Sequence, residues 1–95
     1  MTIDIIPFEQ LKKNNKFEKG ISLVKKVKSD YQTSKHISFT VESESGVHNV
    51  MYFNEKEGEL KWQCDCKWYT LQNKICSHII AVNLFLIEDK RTDHA

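Results

Sequence analysis

The sequence predicts an α+β fold: a short N-terminal helix, an antiparallel sheet of three or four strands, and a C-terminal helix. Three observations predict it. Near the N-terminus, Phe8, Leu11 and Phe17 fall toward one side of a helix. The middle of the chain alternates apolar and polar residues between short turn signals. The last third contains "CSHIIAVNLFLIEDKR", a long apolar run free of Gly and Pro.

The elements follow in order. Pro7 suits a helix start, and "FEQLKKNNKFEKG" supplies the helix, with Gly20 as its stop. Beyond Gly20 the period becomes that of strands. "ISLVKKVKS" is the first, and "KHISFTVES" the second, with Ile37, Phe39 and Val41 alternating against Ser38 and Thr40. Ser45-Gly46 turns the chain into "VHNVMYFN", and "EKEG" at 55–58 turns it into "ELKWQ", where Leu60 and Trp62 alternate with Lys61 and Gln63. Four consecutive strands with short turns make a meander. Trp62 belongs to its core.

At 95 residues, 40% hydrophobic and 28% charged, the chain reads as one soluble domain over residues 1–95. A core of this size is commonly reinforced by disulfides, a metal or a partner subunit. "MTIDIIPFEQLKKNNK" lacks the pattern of a secretory signal, and no run approaches the roughly 18 apolar residues of a membrane span, which predicts an intracellular protein without membrane contact. The three cysteines are an odd number, poor material for disulfides in a reducing compartment.

All three cysteines fall in "CDCKWYTLQNKICSH" at 64–78, together with one histidine. Structural zinc takes four ligands in a tetrahedron, commonly three Cys and one His, contributed in pairs by short local segments. Cys64 and Cys66 leave the last strand, and Cys76 and His78 open the last helix. There the free N–H groups favour a thiolate at Cys76. Residues two apart on a helix diverge by about 200°, so Cys76 must lie at or just before the first turn for both groups to reach one ion. Lys67 and Lys74 would partly offset a net site charge of about −1. The alternatives are unrelated buried cysteines, a catalytic Cys-His pair and iron-sulfur ligation. His36, His48 and His94 lie far from the cluster in sequence and read as surface residues.

Cys-x-Cys, a gap, then Cys-x-His running into an apolar helix resembles the SWIM zinc finger. "FEKGISLVKKV", "ISFTVES" and "YFN…GELKWQCDC" are similar to the strands preceding that finger in domains attached to Swi/Snf-type helicases and MuDR-type transposases. The resemblance covers residues 17–87, with the finger proper at about 50–88. It implies a Zn²⁺-binding interaction module that engages DNA, protein or both, without catalysis. Small SWIM proteins are similar to adaptors that partner RecA-family recombinase paralogues in homologous recombination, and so imply such a partner here. Ser77 stands where many members carry a basic residue between the last Cys and His.

Charge is segregated along the chain. Residues 1–40 hold eight Lys against Asp4, Glu9, Glu18 and Asp30, a net of +4, whereas residues 41–60 hold five Glu against Lys56, a net of −4. Lys25, Lys26 and Lys28, continuing a strip from Lys12, Lys13 and Lys16, are candidate phosphate contacts, and Trp68 and Lys74 are further nucleic-acid candidates. With no recognition helix, such contact would be independent of base sequence. The C-terminal helix carries two apolar rows. One holds Ile79, Val82, Phe85 and Leu86, and the other holds Ile80, Leu84 and Ile87. The second row packs on the N-terminal helix, or serves as an interface for a protein partner or a symmetric dimer.

Overall fold

The computed structural model describes residues 3–44, 46–66 and 75–92 of the protein. Its N-terminal third holds two helices where the sequence suggests one. α1 (Phe8–Lys12) begins after Pro7, whose carbonyl accepts the N–H groups of Gln10 and Leu11 at 3.0 and 3.1 Å. Asn14 then interrupts the helix. Its side-chain oxygen takes the N–H of Lys16 at 2.9 Å, offering the backbone a turn in place of the next helical bond. α2 (Phe17–Leu23) follows, and the Phe8 and Phe17 rings meet edge to face at 5.7 Å.

Gly20 is not a stop. Its N–H bonds the Lys16 carbonyl at 3.0 Å in the middle of α2. The helical path continues through a 3₁₀ turn, Val24–Lys26, before β1 (Val27–Gln32) begins. "ISLV" is therefore helical and not the start of a strand. Gly20, Leu23 and Val27 are the buried positions, a 3- and 4-residue spacing that packs inward despite the strand-like composition.

β1, β2 (His36–Ser43), β3 (Gly46–Phe53) and β4 (Trp62–Cys64) form one antiparallel sheet in the order β1-β2-β3-β4, the expected meander. Ile37 pairs with Tyr52, Phe39 with Val50 and Val41 with His48, while Tyr52 and Val50 pair onward with Trp62 and Cys64. These inward residues form the sheet side of the core. β4 is shorter than the sequence suggests. Gly58, at a φ of +57°, opens a 3₁₀ turn (Gly58–Lys61) that occupies the expected first half of that strand.

α3 (Ser77–Thr92) lies across the sheet and against α2. Ile79, Ile80, Ala81, Val82 and Asn83 are wholly enclosed. The first turns of α3 are thus buried all round, with the sheet on one side and the N-terminal helices on the other. Asn83 is the polar member of this core. Its Oδ1 accepts the N–H of Ile6 at 2.8 Å, and its Nδ2 donates to the Ile79 carbonyl at 2.9 Å. The same N-terminal segment is held at Asp4, whose N–H reaches the Tyr52 hydroxyl at 3.0 Å and whose carboxylate pairs with Lys61. Among the described residues no helix is long and apolar enough to cross a membrane.

Candidate metal centre

The Cys-x-Cys pair is an extension of β4. Cys64 is the last residue of that strand, in register with Val50. One step on, the Asp65 N–H bonds the Asn49 carbonyl at 3.2 Å, turning Cys66 back toward the core. The second pair sits at the mouth of α3. The Cys76 carbonyl accepts the N–H of Ile80 at 3.1 Å, so Cys76 caps the helix and His78 lies in its first turn. This is the offset that two groups on adjacent turns need to face one point.

The four donor atoms lie within 4.8 Å of one another. His78 Nδ1 is 3.7 Å from the Cys64 sulfur and 3.8 Å from that of Cys76. Donors sharing one zinc at ordinary bond lengths are separated by about 3.6 Å (N to S) and about 3.8 Å (S to S) along the edges of the tetrahedron. The donor set and its spacing therefore fit Zn²⁺. The cysteines are buried, 7%, 6% and 1% exposed for Cys64, Cys66 and Cys76, and His78 is 7% exposed. Such enclosure suits a structural ion better than a thiol that must meet a substrate.

Left to themselves, Cys64 and Cys76 divide their protons unequally. The Cys76 thiol is pushed down to about 4, foremost by the hydrogen bond from Cys64, with help from His78 and from the Ile79 N–H at the start of α3. Cys64 moves up, foremost because that same bond holds its proton and then because it is buried. One sulfur is thus a ready anion, as the helix terminus suggests from sequence.

His48 departs from expectation. It alternates in phase with Val50 and Tyr52, so it points to the core side of β3, and its ring packs on that of His78 with centroids 4.4 Å apart. Its Nδ1–H donates to Asp65 Oδ1 at 3.3 Å. Phase along the strand is the signal that places it there, and distance in sequence hides it.

Lys25 and Lys26 on the 3₁₀ turn and Lys28 on β1 are all exposed. Trp68 and Lys74, with Lys67, Tyr69 and His94, lie outside the described residues. The row of Ile80, Leu84 and Ile87 is divided. Ile80 is core, pressed on Gly20, and so presents no surface to a partner. Leu84 and Ile87 are half-buried and line an open groove of about 830 Å³ with Phe8, Ile21, Val24 and Lys25.

The family model of the SWIM zinc finger matches residues 48–87. No curated protein and no solved structure shows significant similarity to the chain. The match runs from His48 to Ile87, taking in most of β3, β4, both Cys/His pairs and the first turns of α3, so this segment is similar to the SWIM zinc finger, an interaction module, and its buried Cys₃His cluster fits Zn²⁺.

Proposed function

We propose that Cys64, Cys66, Cys76 and His78 hold one Zn²⁺ that ties α3 to the sheet, and that residues 1–95 act as one non-enzymatic adaptor domain in DNA transactions. Its role is in homologous recombination, and its partner is a RecA-family ATPase. The observation that carries the partner assignment is the groove. Phe8 is 45% and Ile21 51% exposed beside Leu84 and Ile87, an apolar lining at a helix–helix seam that a partner's apolar side chains would fill. The recombination setting comes from the resemblance to small SWIM adaptors.

The test uses purified, zinc-loaded protein and the RecA-family ATPases of the same cell. A complex on size exclusion that is lost in the Leu84→Glu/Ile87→Glu double variant, with zinc content and monomeric fold retained, supports the assignment. Absence of a complex with any of these ATPases, or a complex indifferent to the double variant, overturns it. A symmetric dimer through the same groove would appear as a concentration-dependent doubling of mass.

Exposure of Lys25, Lys26 and Lys28 favours a second role, direct and sequence-independent contact with DNA phosphates. Binding to duplex of any sequence, falling steeply with salt and abolished by Glu at all three positions, is its expected signature. A triple variant that binds as well as the wild type overturns this site.

A further inference from the structure

We propose that His48 and Asp65, neither of them a ligand, position the metal centre from outside: Asp65 fixes the His48 ring, and that ring fixes His78. The proposal rests on the four-residue zinc assignment above. Asp65 stands between Cys64 and Cys66, where the β3–β4 ladder has just ended at Val50 and Cys64. It carries the attachment one residue further on both its backbone and its side chain. Its N–H reaches the Asn49 carbonyl at 3.2 Å, and its Oδ1 accepts the Asn49 N–H at 3.1 Å. The curl of the Cys-x-Cys segment is thereby stapled to β3.

The same Oδ1 takes the ring proton of His48. A carboxylate only accepts, so this bond sets the His48 proton on Nδ1 and fixes the plane of the ring. With its side chain 18% exposed, that ring lies against His78 at 4.4 Å, inclined by 34°. His78 turns Nδ1 toward two sulfurs, and any rotation of its ring would carry the donor atom away from both. A neighbour packed on the ring opposes that rotation. Outer groups around metals commonly orient a ligand histidine by bonding its second nitrogen. Here packing orients the ligand, and a hydrogen bond orients the packing residue. Cys64 at the end of β4 and Cys66 on the curl beyond it are consequently linked to helix-borne His78 through protein as well as through the ion.

Full-length His48→Ala, His48→Phe, Asp65→Ala and Asp65→Asn test this, with zinc affinity measured against a chromogenic chelator and the visible spectrum recorded with Co²⁺ in place of zinc. Asp65→Ala and His48→Ala should lose about 10- to 100-fold in affinity, with shifted Co²⁺ bands. Asp65→Asn keeps the acceptor for both N–H groups and should recover most of the loss. His48→Phe keeps the packed ring and should fall between. Unchanged affinity and spectrum in both alanine variants overturn the role. So does an affinity loss with an unaltered Co²⁺ spectrum that Asp65→Asn fails to rescue, since that is the mark of lost stability alone. Should Asp65→Ala not fold, the Asn variant decides. Wild-type protein that takes up no metal overturns the zinc assignment, and this role with it.

Discussion

Gly20 of α2 lies so close to Ile80 of α3 that a Cβ added at Gly20 would sit 2.5 Å from Cγ2 and 2.8 Å from Cβ of that isoleucine, and 3.3 Å from the Ser77 carbonyl. The two helices meet backbone to side chain because no side chain stands between them. Gly20→Ala should therefore destabilise the protein. An alanine in mid-helix gains about 1 kcal/mol in propensity, whereas forcing a methyl into a packed core costs about 1–3 kcal/mol. Ile80 is wholly enclosed and its Cβ cannot swing aside, so the packing term prevails. Denaturant unfolding of the zinc-loaded variant should show a lower midpoint, and a higher one would mean that α2 and α3 lie further apart.

That contact also marks where the sequence misleads. Alternation in "HISFTVES" and around Trp62 specifies the meander, because a half-buried strand exposes its period directly. The ligand pairs are legible because metal chemistry restricts both residue type and spacing. In "GISLVKKV", β-branched residues and a glycine suggest a stop and a strand, but the inward positions 20, 23 and 27 obey a helical period that only the groove presented by α3 makes favourable. Composition argued for one structure, and tertiary packing selected the other. His48 was hidden for a related reason, since nothing local says that the start of β3 lies beside the start of α3.

Asn83 has no counterpart in the apolar pattern of α3, yet it is wholly buried and bonds the N–H of Ile6. Asn83→Leu would keep most of the volume and leave that N–H without its acceptor. A buried donor so orphaned costs about 1–3 kcal/mol. The N-terminal segment should loosen first, read as faster amide exchange at residues 4–6 while the sheet stays protected. Uniform exchange across sheet and segment would show instead that Asn83 supports the whole core.

Metal removal should unfold the finger. The ligand set lies at the junction of β4 and α3, and in a small core metal binding is coupled to folding. Chelation is expected to collapse the dispersion of an amide NMR spectrum, and one equivalent of zinc per chain to restore it. His78→Ala and Cys66→Ser should resemble the chelated protein. Elemental analysis finding iron, or no metal in folded protein, would count against zinc.

Acidification should weaken zinc binding, because the thiols of the metal-free protein carry protons that the ion displaces. Zinc binds thiolates, so every sulfur that is protonated in the metal-free protein must release its proton on binding. The low value of Cys76, about 4, and the upward shift of Cys64 belong to the folded site, where each is set foremost by their mutual hydrogen bond. A metal-free chain that has unfolded loses that bond, and its thiols return to the ordinary cysteine range of about 8.5, protonated near neutrality. Lower pH then favours the metal-free state, and apparent affinity should fall by about tenfold per pH unit for each proton displaced. Between about pH 6 and 8 the slope should approach about three, one proton from each cysteine. Calorimetry in buffers of different ionisation enthalpy counts the released protons directly. A count well short of three would mean that Cys76 is already an anion before the metal arrives, and hence that the metal-free chain keeps the folded pair.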